Sequence, residues 1–446
     1  ILSLIGILIT VLVTFTIQPL LFRVFVTNRA KKGLAPVKIR TFIQSFFLLL
    51  FYGLGGILLS IVSVTILPLL PIAKKLKFNW LHKAMAKLVQ AVLYANPFVN
   101  KRVINENNED FKKPAIIIAN HSSSLDTLTM GLLTHNLIYL VNDWVYKSPI
   151  FGILAKVAGF YPVSDGVDDS TDHLKEKVRQ GYSLMVFPEA KRSFTNRVGR
   201  FHKGAFFLQK ELEIDILPVY LHGNSEVMPK NDFIIHDGSL TVKVGDRIPY
   251  DDKDLGLTYR ERVKKISTSF KNELLNFRNE IEGEDYFKDI LFSNYFYKNE
   301  KITKIIKEDF NKNKGLYHQL NKVLPMKLKI FHLADNYGQI DILLVSKYLD
   351  RKITTLIQDK NKYNIAKNCY TTKFRRVNYV EEYKNMDFQK FDILLLSDLN
   401  INKHIKEKDL HCFDKIVIVN KENSKIEIIE PQSDYSKIIK KYFHSS

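Results

Sequence analysis

The chain has 446 residues, which is enough for two or three domains of ordinary size. Lysine and arginine number 66 against 47 aspartates and glutamates, and a net charge of +19 predicts an anionic partner such as a phospholipid surface, nucleic acid or a phosphorylated substrate, unless the chain is simply a basic soluble protein. The two cysteines, Cys369 and Cys412, are too few for a disulfide framework or a zinc site, and they indicate a reducing compartment.

The first apolar stretch, residues 1–22, carries no charge and is long enough to span a bilayer. It lacks the basic leader and the small-residue cleavage site of a signal peptide. Because the chain begins with Ile1 rather than methionine, we expect the last membrane helix of a longer polytopic protein; a buried core helix is the alternative. The basic residues between Arg23 and Arg40 predict that this end of the helix faces the cytoplasm.

The second apolar stretch, residues 41–73, is too long for one upright span and too short for two. The residues that interrupt it are Gly53, Gly55, Gly56, Pro68 and Pro71, and the basic cluster that follows it is Lys74, Lys75 and Lys77. We predict a re-entrant or interfacial helical hairpin, broken near the glycines, with all later residues in the cytoplasm. The alternative is a single span that exports the rest of the chain.

Residues 79–252 alternate strand-like and helical patterns, which predicts a layered α/β unit. Strands are predicted at PAIIIAN, SLMVFPE, IDILPVYL and LTVKVGDRI. Helices are predicted at WLHKAMAKLVQAVLY, from SLDTLTM through GLLTH, and at DDSTDHLKEKVRQG. A charged amphipathic helix at residues 258–282 closes or links this unit.

A second alternation begins after Pro325 with KLKIFHLA, DILLVSKYL, ITTLIQ, FDILLLSD, KIVIVN and KIEIIE. It predicts a second α/β domain with a doubly wound sheet. The predicted segments are a membrane helix with a basic tail at 1–40, the hairpin at 41–78, the first α/β domain at 79–283 and the second at 284–446.

The stretch IIIANHSSSLDTLTM places polar residues where an apolar strand ends, at Asn120 and His121. The serines that follow are good helix caps, so Asp126 falls in the first helical turn and is able to reach the imidazole. A carboxylate on one ring nitrogen fixes the tautomer and leaves the other nitrogen free to take a proton. The stretch therefore indicates either general-base chemistry on an alcohol or amine, or only a capped polar turn.

The stretch MVFPEAKRSF also carries polar side chains at the exit of an apolar strand. They are Glu189, Lys191, Arg192 and Ser193. Two cations and a hydroxyl are suited to a phosphate or phosphopantetheine group, whereas the alternative is a polar surface loop. RFHKGAFFLQ and the strand LPVYLHG follow.

These motifs together resemble the glycerolipid acyltransferase family, typified by lysophosphatidate acyltransferases. The resemblance rests on the N-H-x₄-D form of NHSSSLD, followed in order by FPEAKRS, KGAF and LPV. It implies an αβ-layer acyltransferase domain in which His121 deprotonates an acceptor hydroxyl or amine for attack on an acyl thioester, while Asp126 orients the imidazole. The substrate-binding residues that it implies are Asn120, Glu189, Lys191, Arg192, Ser193, Lys203 and Pro218.

The resemblance also implies partners and the absence of a metal or cofactor for acyl transfer. The donor is an acyl thioester of acyl carrier protein or coenzyme A, the acceptor is a membrane lipid, and nucleic acid is not a partner. The expected location is the cytoplasmic face of the inner membrane. The alternative is a non-catalytic lipid-binding or scaffold module of a lipid-export complex.

The chain departs from the family pattern at two places. Ala190 and Lys191 replace the glycine and threonine of the usual FPEGTRS motif. Ser164 and Asp165 stand where a phosphate-binding arginine is usual, and an acidic side chain repels a phosphate monoester. An uncharged, zwitterionic or amino-acid-headed lipid, or a pigment-type hydroxyl, is therefore an alternative acceptor to lysophosphatidate.

The two ends of the chain carry weaker resemblances. TIQPLLFRVFVTNRAKKGLAP resembles the last helix and tail of MmpL-type lipid exporters, which implies an exporter–acyltransferase fusion. The C-terminal domain resembles class I methyltransferases in layout: HLADNYG keeps Gly338, and Asp359 follows the second strand. Ala334 and Asn336 occupy the earlier glycine positions, so two interpretations stay open, S-adenosylmethionine-dependent methylation and a degenerate Rossmann-like module kept for packing or partner binding.

Overall fold

The computed structural model describes residues 18–149, 151–162, 171–193, 197–256, 258–374, 377–382, 386–397 and 407–430. Its contacts divide the chain into two compact units. One unit is Val37–Arg278, and the other combines Asn279–Ser446 with Ile1–Pro36. In the N-terminal segment, helix α1 spans Gln18–Lys31.

The membrane hairpin predicted from the sequence differs from the structure in where it bends. Helix α2 spans Ile39–Thr65 and runs unbroken through the glycines, so the predicted break there is wrong. The chain turns instead through the 3₁₀ segment Leu67–Leu69, and helix α3, Lys74–Tyr94, packs back against α2. The prolines of the connection have no backbone N–H to continue a helix, which explains the position of the turn.

The glycines of α2 allow close packing. A Cβ atom at Gly55 would lie 2.5 Å from Cδ1 of Leu88, and one at Gly56 would lie 2.9 Å from Cε1 of Phe151. The helix therefore needs small residues where Leu88 of α3 and Phe151 pack against it.

The polarity of α2 is inverted relative to that of a soluble amphipathic helix. Its buried residues are Thr41, Ser45, Leu48, Gly56, Ser60 and Ser63. Its exposed large apolar residues are Ile39, Ile43, Phe46, Phe47, Leu50, Phe51, Leu54, Ile57, Leu58, Ile61 and Val64. Within the described part of the chain, Ile39–Leu69 is the single stretch long and apolar enough to cross a membrane.

The first sheet has seven strands in the order β1-β7-β6-β2-β5-β3-β4. The strands are β1 Val99–Ile104, β2 Ala115–Ala119, β3 Leu137–Val141, β4 Tyr161–Pro162, β5 Ser183–Val186, β6 Asp215–His222 and β7 Gly238–Val244. Neighbouring strands are parallel except for the antiparallel pair of β6 and β7. The α/β class predicted from the sequence is confirmed, although β1, β3 and β4 were not predicted.

Strand β2 lies in the middle of this sheet, between β5 and β6. Its three isoleucines, Ile116, Ile117 and Ile118, have no exposed surface. Burial on both faces explains why the strand reads as an unbroken apolar run rather than an alternating one. Its carboxyl end is therefore held rigidly, and His121 follows two residues later.

Seven α-helices and a 3₁₀ turn complete this region among the described residues. They are α4 Leu125–Met130, α5 Asp143–Tyr146, α6 Gly152–Val157, α7 Thr171–Arg179, α8 Gly204–Leu212, α9 Asn224–Val227, the turn Lys253–Leu255 and α10 Tyr259–Ile281. The helix predicted to run through GLLTH ends earlier, at Met130, because Gly131 caps it and turns the chain. The charged amphipathic helix predicted at 258–282 corresponds to α10.

The C-terminal sheet has six strands in the order β10-β9-β8-β11-β12-β13, parallel except for the last pair. The strands are β8 Lys329–Leu333, β9 Lys352–Leu356, β10 Val377–Val380, β11 Ile393–Leu396, β12 Lys415–Asn420 and β13 Lys425–Ile429. The helices are α11 Lys288–Asn294, α12 Glu300–Val323, α13 Gln339–Lys347, α14 Lys360–Lys367, α15 Tyr370–Phe374 and α16 Glu407–Leu410, with a 3₁₀ turn at Phe388–Lys390. The predicted doubly wound arrangement is confirmed; the short strand β10 was not predicted.

Gly223 forms a tight turn between β6 and α9. Its φ is 86°, and a Cβ atom added to it would lie 1.8 Å from the backbone oxygen of Ser239. Both the left-handed conformation and the close approach of the backbone require glycine here. Gly53 is the opposite case, because nothing lies within 4 Å of its Cβ position in the interior of α2.

We therefore predict opposite effects of two glycine-to-alanine substitutions. Gly223→Ala should lower the free energy of unfolding by at least about 2 kcal/mol, because strain and a backbone clash add together. Gly53→Ala should leave it unchanged or raise it by about 0.5–1 kcal/mol, because alanine favours the helix. Unfolding in detergent, followed by circular dichroism, measures both; equal stability of the two variants would contradict the turn geometry.

Candidate active site

His121 and Asp126 lie together at the carboxyl end of β2. The imidazole Nδ1 is 2.8 Å from Asp126 Oδ2, and the same oxygen accepts the backbone N–H groups of Ser122, at 2.6 Å, and Ser123, at 2.8 Å. The Asp126 side chain has no exposed surface, while that of His121 is 17% exposed. Nδ1 therefore carries the hydrogen, and Nε2, which has no hydrogen-bond partner within the described residues, is the nitrogen open to a substrate.

Asn224 supplies a further donor to the same carboxylate, and the sequence analysis missed it. Its side-chain Nδ2 is 2.9 Å from Asp126 Oδ1 and 3.0 Å from Oγ1 of Thr129. Asn224 follows β6, which pairs in parallel with β2, so the carboxyl ends of both strands meet at one edge. The sequence signal that could have identified it is a polar residue just beyond the strand LPVYLHG.

Phe187 and Glu189, at the end of β5, support the histidine from the other side. The Phe187 ring stacks on the imidazole with 4.0 Å between the ring centroids. Glu189 Oε1 accepts the backbone N–H of His121 at 2.8 Å, and Oε2 accepts that of Gly199 at 2.6 Å. Burial raises the pKa of the Glu189 carboxyl, and these two hydrogen bonds act in the opposite direction. Its contacts suit a residue that positions the backbone of His121.

The basic residues of FPEAKRS lie close to the histidine loop. Arg192 donates to Oγ of Ser124, and Lys230, which the sequence analysis did not single out, donates to the Arg192 backbone oxygen at 2.8 Å. Burial and the charges of Arg192 and Lys191 lower the pKa of Lys230. The backbone N–H of Ser193 donates to the His121 carbonyl at 2.7 Å. The motif therefore anchors the loop and concentrates positive charge beside it.

Ala190 adopts a backbone conformation that glycine favours, with φ at 57°. Alanine in place of the glycine of FPEGTRS therefore strains this turn. Ser164 and Asp165, the other departure, lie outside the described residues.

The remaining predicted substrate-binding residues are Asn120, Pro218, Lys191 and Lys203. The Asn120 amide bridges to β6, donating to the Leu221 carbonyl and accepting the Leu221 N–H, both at 2.8 Å. Pro218 is buried within β6, opposite Ile118. Lys191 and Lys203 are exposed. Thus Asn120 and Pro218 contribute to the frame of the site through their strands.

His121 lies where a polar cleft and an apolar cavity meet. Residues lining the polar cleft include Ser122, Glu189, Ser193, Arg197, Glu226 and Arg278. The apolar cavity has a volume of about 380 Å³, and its lining includes Leu48, Tyr52, Leu128, Tyr139, Trp144 and Phe151. His121 lines both spaces, so an apolar chain and a polar group are able to meet at its imidazole.

The C-terminal sheet offers poor contacts for S-adenosylmethionine at its switch point, between β8 and β11. A Cβ atom at Gly338 would lie 2.5 Å from the Tyr379 hydroxyl, so protein fills the space that this glycine leaves. Asn336 Oδ1 accepts the Gly338 N–H at 2.8 Å, and its Nδ2 donates to Ser397 Oγ at 3.2 Å. Asp359 caps its own helix by accepting the Lys362 N–H at 2.8 Å. These residues do not fit the cofactor, because Tyr379 fills the space beside Gly338 and Asn336 is bound within the loop.

The regions that the structure describes contain no cluster of potential metal ligands. No three side chains of His, Cys, Asp or Glu are grouped there as ligands for an ion.

Part of the chain is similar in sequence to known acyltransferases. The profile of the Acyltransferase family matches residues 100–222. A chloroplastic 1-acyl-sn-glycerol-3-phosphate acyltransferase of Brassica napus is 26% identical over 212 residues, which cover 46% of this chain and 61% of the relative. A chloroplastic 1-acyl-sn-glycerol-3-phosphate acyltransferase of Arabidopsis thaliana is 30% identical over 167 residues, which cover 36% of this chain and 47% of the relative.

The matches to the two plant enzymes cover only part of each protein. The chain spans about half to three-fifths of the length of these curated relatives. The crystal structure of the 1-acyl-sn-glycerophosphate acyltransferase PlsC from Thermotoga maritima aligns with a TM-score of 0.47 and 17% identity, covering 54% of this chain and 97% of that one. Residues 100–222, which contain β2, His121, Asp126 and Glu189, are the part of the chain that matches the Acyltransferase family.

Proposed function

We propose that this protein transfers a fatty acyl group from an acyl thioester to a hydroxyl or amine of a glycerolipid acceptor. The observation that carries the proposal is the His121–Asp126 pair at the meeting point of the polar cleft and the apolar cavity. The names of the relatives support a glycerolipid acceptor.

The proposed mechanism needs one base and no metal step. Because Nδ1 donates to Asp126, Nε2 carries the lone pair and removes the proton from the acceptor hydroxyl as its oxygen attacks the thioester carbonyl. The buried carboxylate stabilises the imidazolium that forms. When the tetrahedral intermediate collapses, the carbon–sulfur bond breaks and the imidazolium returns the proton to the leaving thiolate.

The two spaces beside His121 suit the two substrates. The apolar cavity is in the size range of small-molecule sites, and we assign the acyl chain to it. Arg192 and Ser124, which line its polar end, and Lys230 next to them suit an anionic or zwitterionic group. Acyl carrier protein and coenzyme A remain equal alternatives for the donor.

The first prediction tests the base. His121→Ala should lower kcat by about 10²–10⁴-fold, because general-base catalysis is removed. Asp126→Asn should cost less, because the imidazole keeps a partner but loses its orientation and charge stabilisation. Acyl transfer from labelled acyl-coenzyme A and acyl carrier protein to lysophosphatidate and other lysolipids measures the effect, and the exposed His173→Ala on α7 is the matched control. Full activity in His121→Ala would contradict this mechanism. If the unmodified chain binds the thioester but does not turn it over, the result would favour the alternative of a non-catalytic scaffold.

We also propose that α2 lies in the membrane interface at the cytoplasmic face of the inner membrane. Its polar side is packed along the catalytic unit: Ser45 Oγ accepts the Ile235 N–H at 2.9 Å, while Gly55 and Gly56 face Leu88 and Phe151. An upright span would carry these packed elements, and the lysines of α3, into the hydrocarbon core. A helix that lies in the interface and buries only its outer face in lipid avoids the free-energy cost of moving these groups into the hydrocarbon core. The exporter-like segment at the N-terminus stays a prediction.

The second test uses the two tryptophans of the chain, Trp80 and Trp144, which are 50% and 70% exposed. In anionic vesicles that contain shallowly brominated lipids, their fluorescence should be quenched. The double substitution Leu50→Glu and Leu54→Glu should reduce the quenching severalfold, because charges on the outer face of α2 resist burial. Ile305→Glu, on an exposed position of α12, should leave it unchanged. Equal quenching in all three proteins would contradict this docking face.

Methylation as the main activity is the remaining alternative, and the closed switch point argues against it. We predict that titration calorimetry of the full chain with S-adenosylmethionine shows no binding, because the Asn336 amide and the N–H groups of Tyr337 and Gly338 already have partners and Tyr379 fills the space beside Gly338. Saturable binding at micromolar concentrations would reverse this interpretation of the C-terminal unit.

A further inference from the structure

We propose that Asn224 is a positioning residue for acyl transfer, which holds Asp126 so that His121 keeps its reactive nitrogen toward the substrate. The inference rests on the proposed function. It concerns a residue just beyond the segment that the family profile matches, residues 100–222.

The Asp126 carboxylate is fully buried and shared among four donors. Oδ2 receives His121 Nδ1 and two backbone N–H groups, whereas Oδ1 receives Asn224 Nδ2 at 2.9 Å. The backbone donors belong to the loop of His121 itself. Asn224 is therefore the donor that ties the carboxylate to a different strand, and it prevents rotation about the bond that joins the carboxylate to its side chain.

The orientation of the Asn224 amide follows from the same contact. Its Oδ1 is buried and has no hydrogen-bond partner in the part of the chain that the structure describes. Reversing the amide would place that oxygen against Asp126 Oδ1 and would repel it. The arrangement thus leaves one polar atom unsatisfied and keeps a donor on the carboxylate.

The backbone that carries Asn224 has little freedom. Gly223 precedes it in the left-handed conformation and lies against the backbone of Ser239. The donor is therefore aimed at the carboxylate before substrate arrives. Such preorganisation acts on the chemical step more than on substrate binding.

The experiment compares Asn224→Leu with Asn224→Ala in the full chain. Leucine fills nearly the same volume as asparagine but donates no hydrogen bond, so both variants lose the donor to Asp126 Oδ1. We expect kcat to fall about 10- to 100-fold in both variants, with KM within about twofold. If Asn224 only fills space, Asn224→Leu stays near full activity and Asn224→Ala is the worse variant, which would overturn the proposal.

A matched control removes the other acceptor of the same amide. Thr129→Val keeps the shape of the side chain and leaves the contact between Asn224 and Asp126 intact, so kcat should stay within about twofold of the original value. A loss as large as that of Asn224→Ala would show that the surrounding packing, and not the donor to Asp126, controls the rate.

A spectroscopic measurement separates this inference from the proposed function. In protein labelled with ¹⁵N-histidine, His121 should give the signal of the Nδ1–H tautomer, assigned by its loss in His121→Gln. Asn224→Ala should convert it to a mixture of tautomers, whether or not the assayed lipid is the true acceptor. An unchanged tautomer in a folded Asn224→Ala protein overturns the positioning role, whereas a changed tautomer with no acyl transfer by the unmodified protein overturns the proposed function alone.

Discussion

The buried carboxylate of Asp126 is the constraint on which the catalytic unit depends. An ionised group without access to water needs several donors, and here they come from the loop after β2 and from the turn after β6. Strand pairing must therefore bring the two carboxyl ends together, and Gly223 must allow the chain to turn toward the carboxylate. The same contacts set the tautomer of His121. One arrangement therefore supplies the hydrogen bonds that the buried carboxylate needs and supports the proposed reactivity.

The inverted polarity of α2 connects the outer surface of the catalytic unit with the proposed site. Serines, a threonine and a glycine face the protein, while large apolar residues face outward. Leu48 and Tyr52 of the same helix also line the apolar cavity that reaches His121. One helix thereby forms an outer surface suited to a bilayer and an inner wall suited to an acyl chain. Close packing of this helix depends on Gly55 and Gly56, where a Cβ atom would meet Leu88 or Phe151.

In the C-terminal unit, the fold by itself does not identify a function. Its strand order is that of a doubly wound sheet, in which ligands commonly bind at the switch point between strands. At that place His332, Asp341 and Ser397 bond to one another in a fully enclosed network, which Asn336 extends. Polar groups that satisfy one another hold the strands together and leave few donors for a cofactor. The topology alone therefore does not carry a methyltransferase activity.

Local patterns in the sequence were sufficient for the strands at PAIIIAN and LPVYLHG, for the doubly wound C-terminal sheet and for the approach of Asp126 to His121. These features depend on runs of apolar residues or on groups only five positions apart, so neighbouring residues largely determine them. The tertiary structure alone decided that Asn224 completes the carboxylate's partners, that Phe187 stacks on the imidazole and that the cofactor loop is closed by Asn336. These contacts join residues about 60–100 positions apart, and strand order, which no local pattern encodes, brings them together.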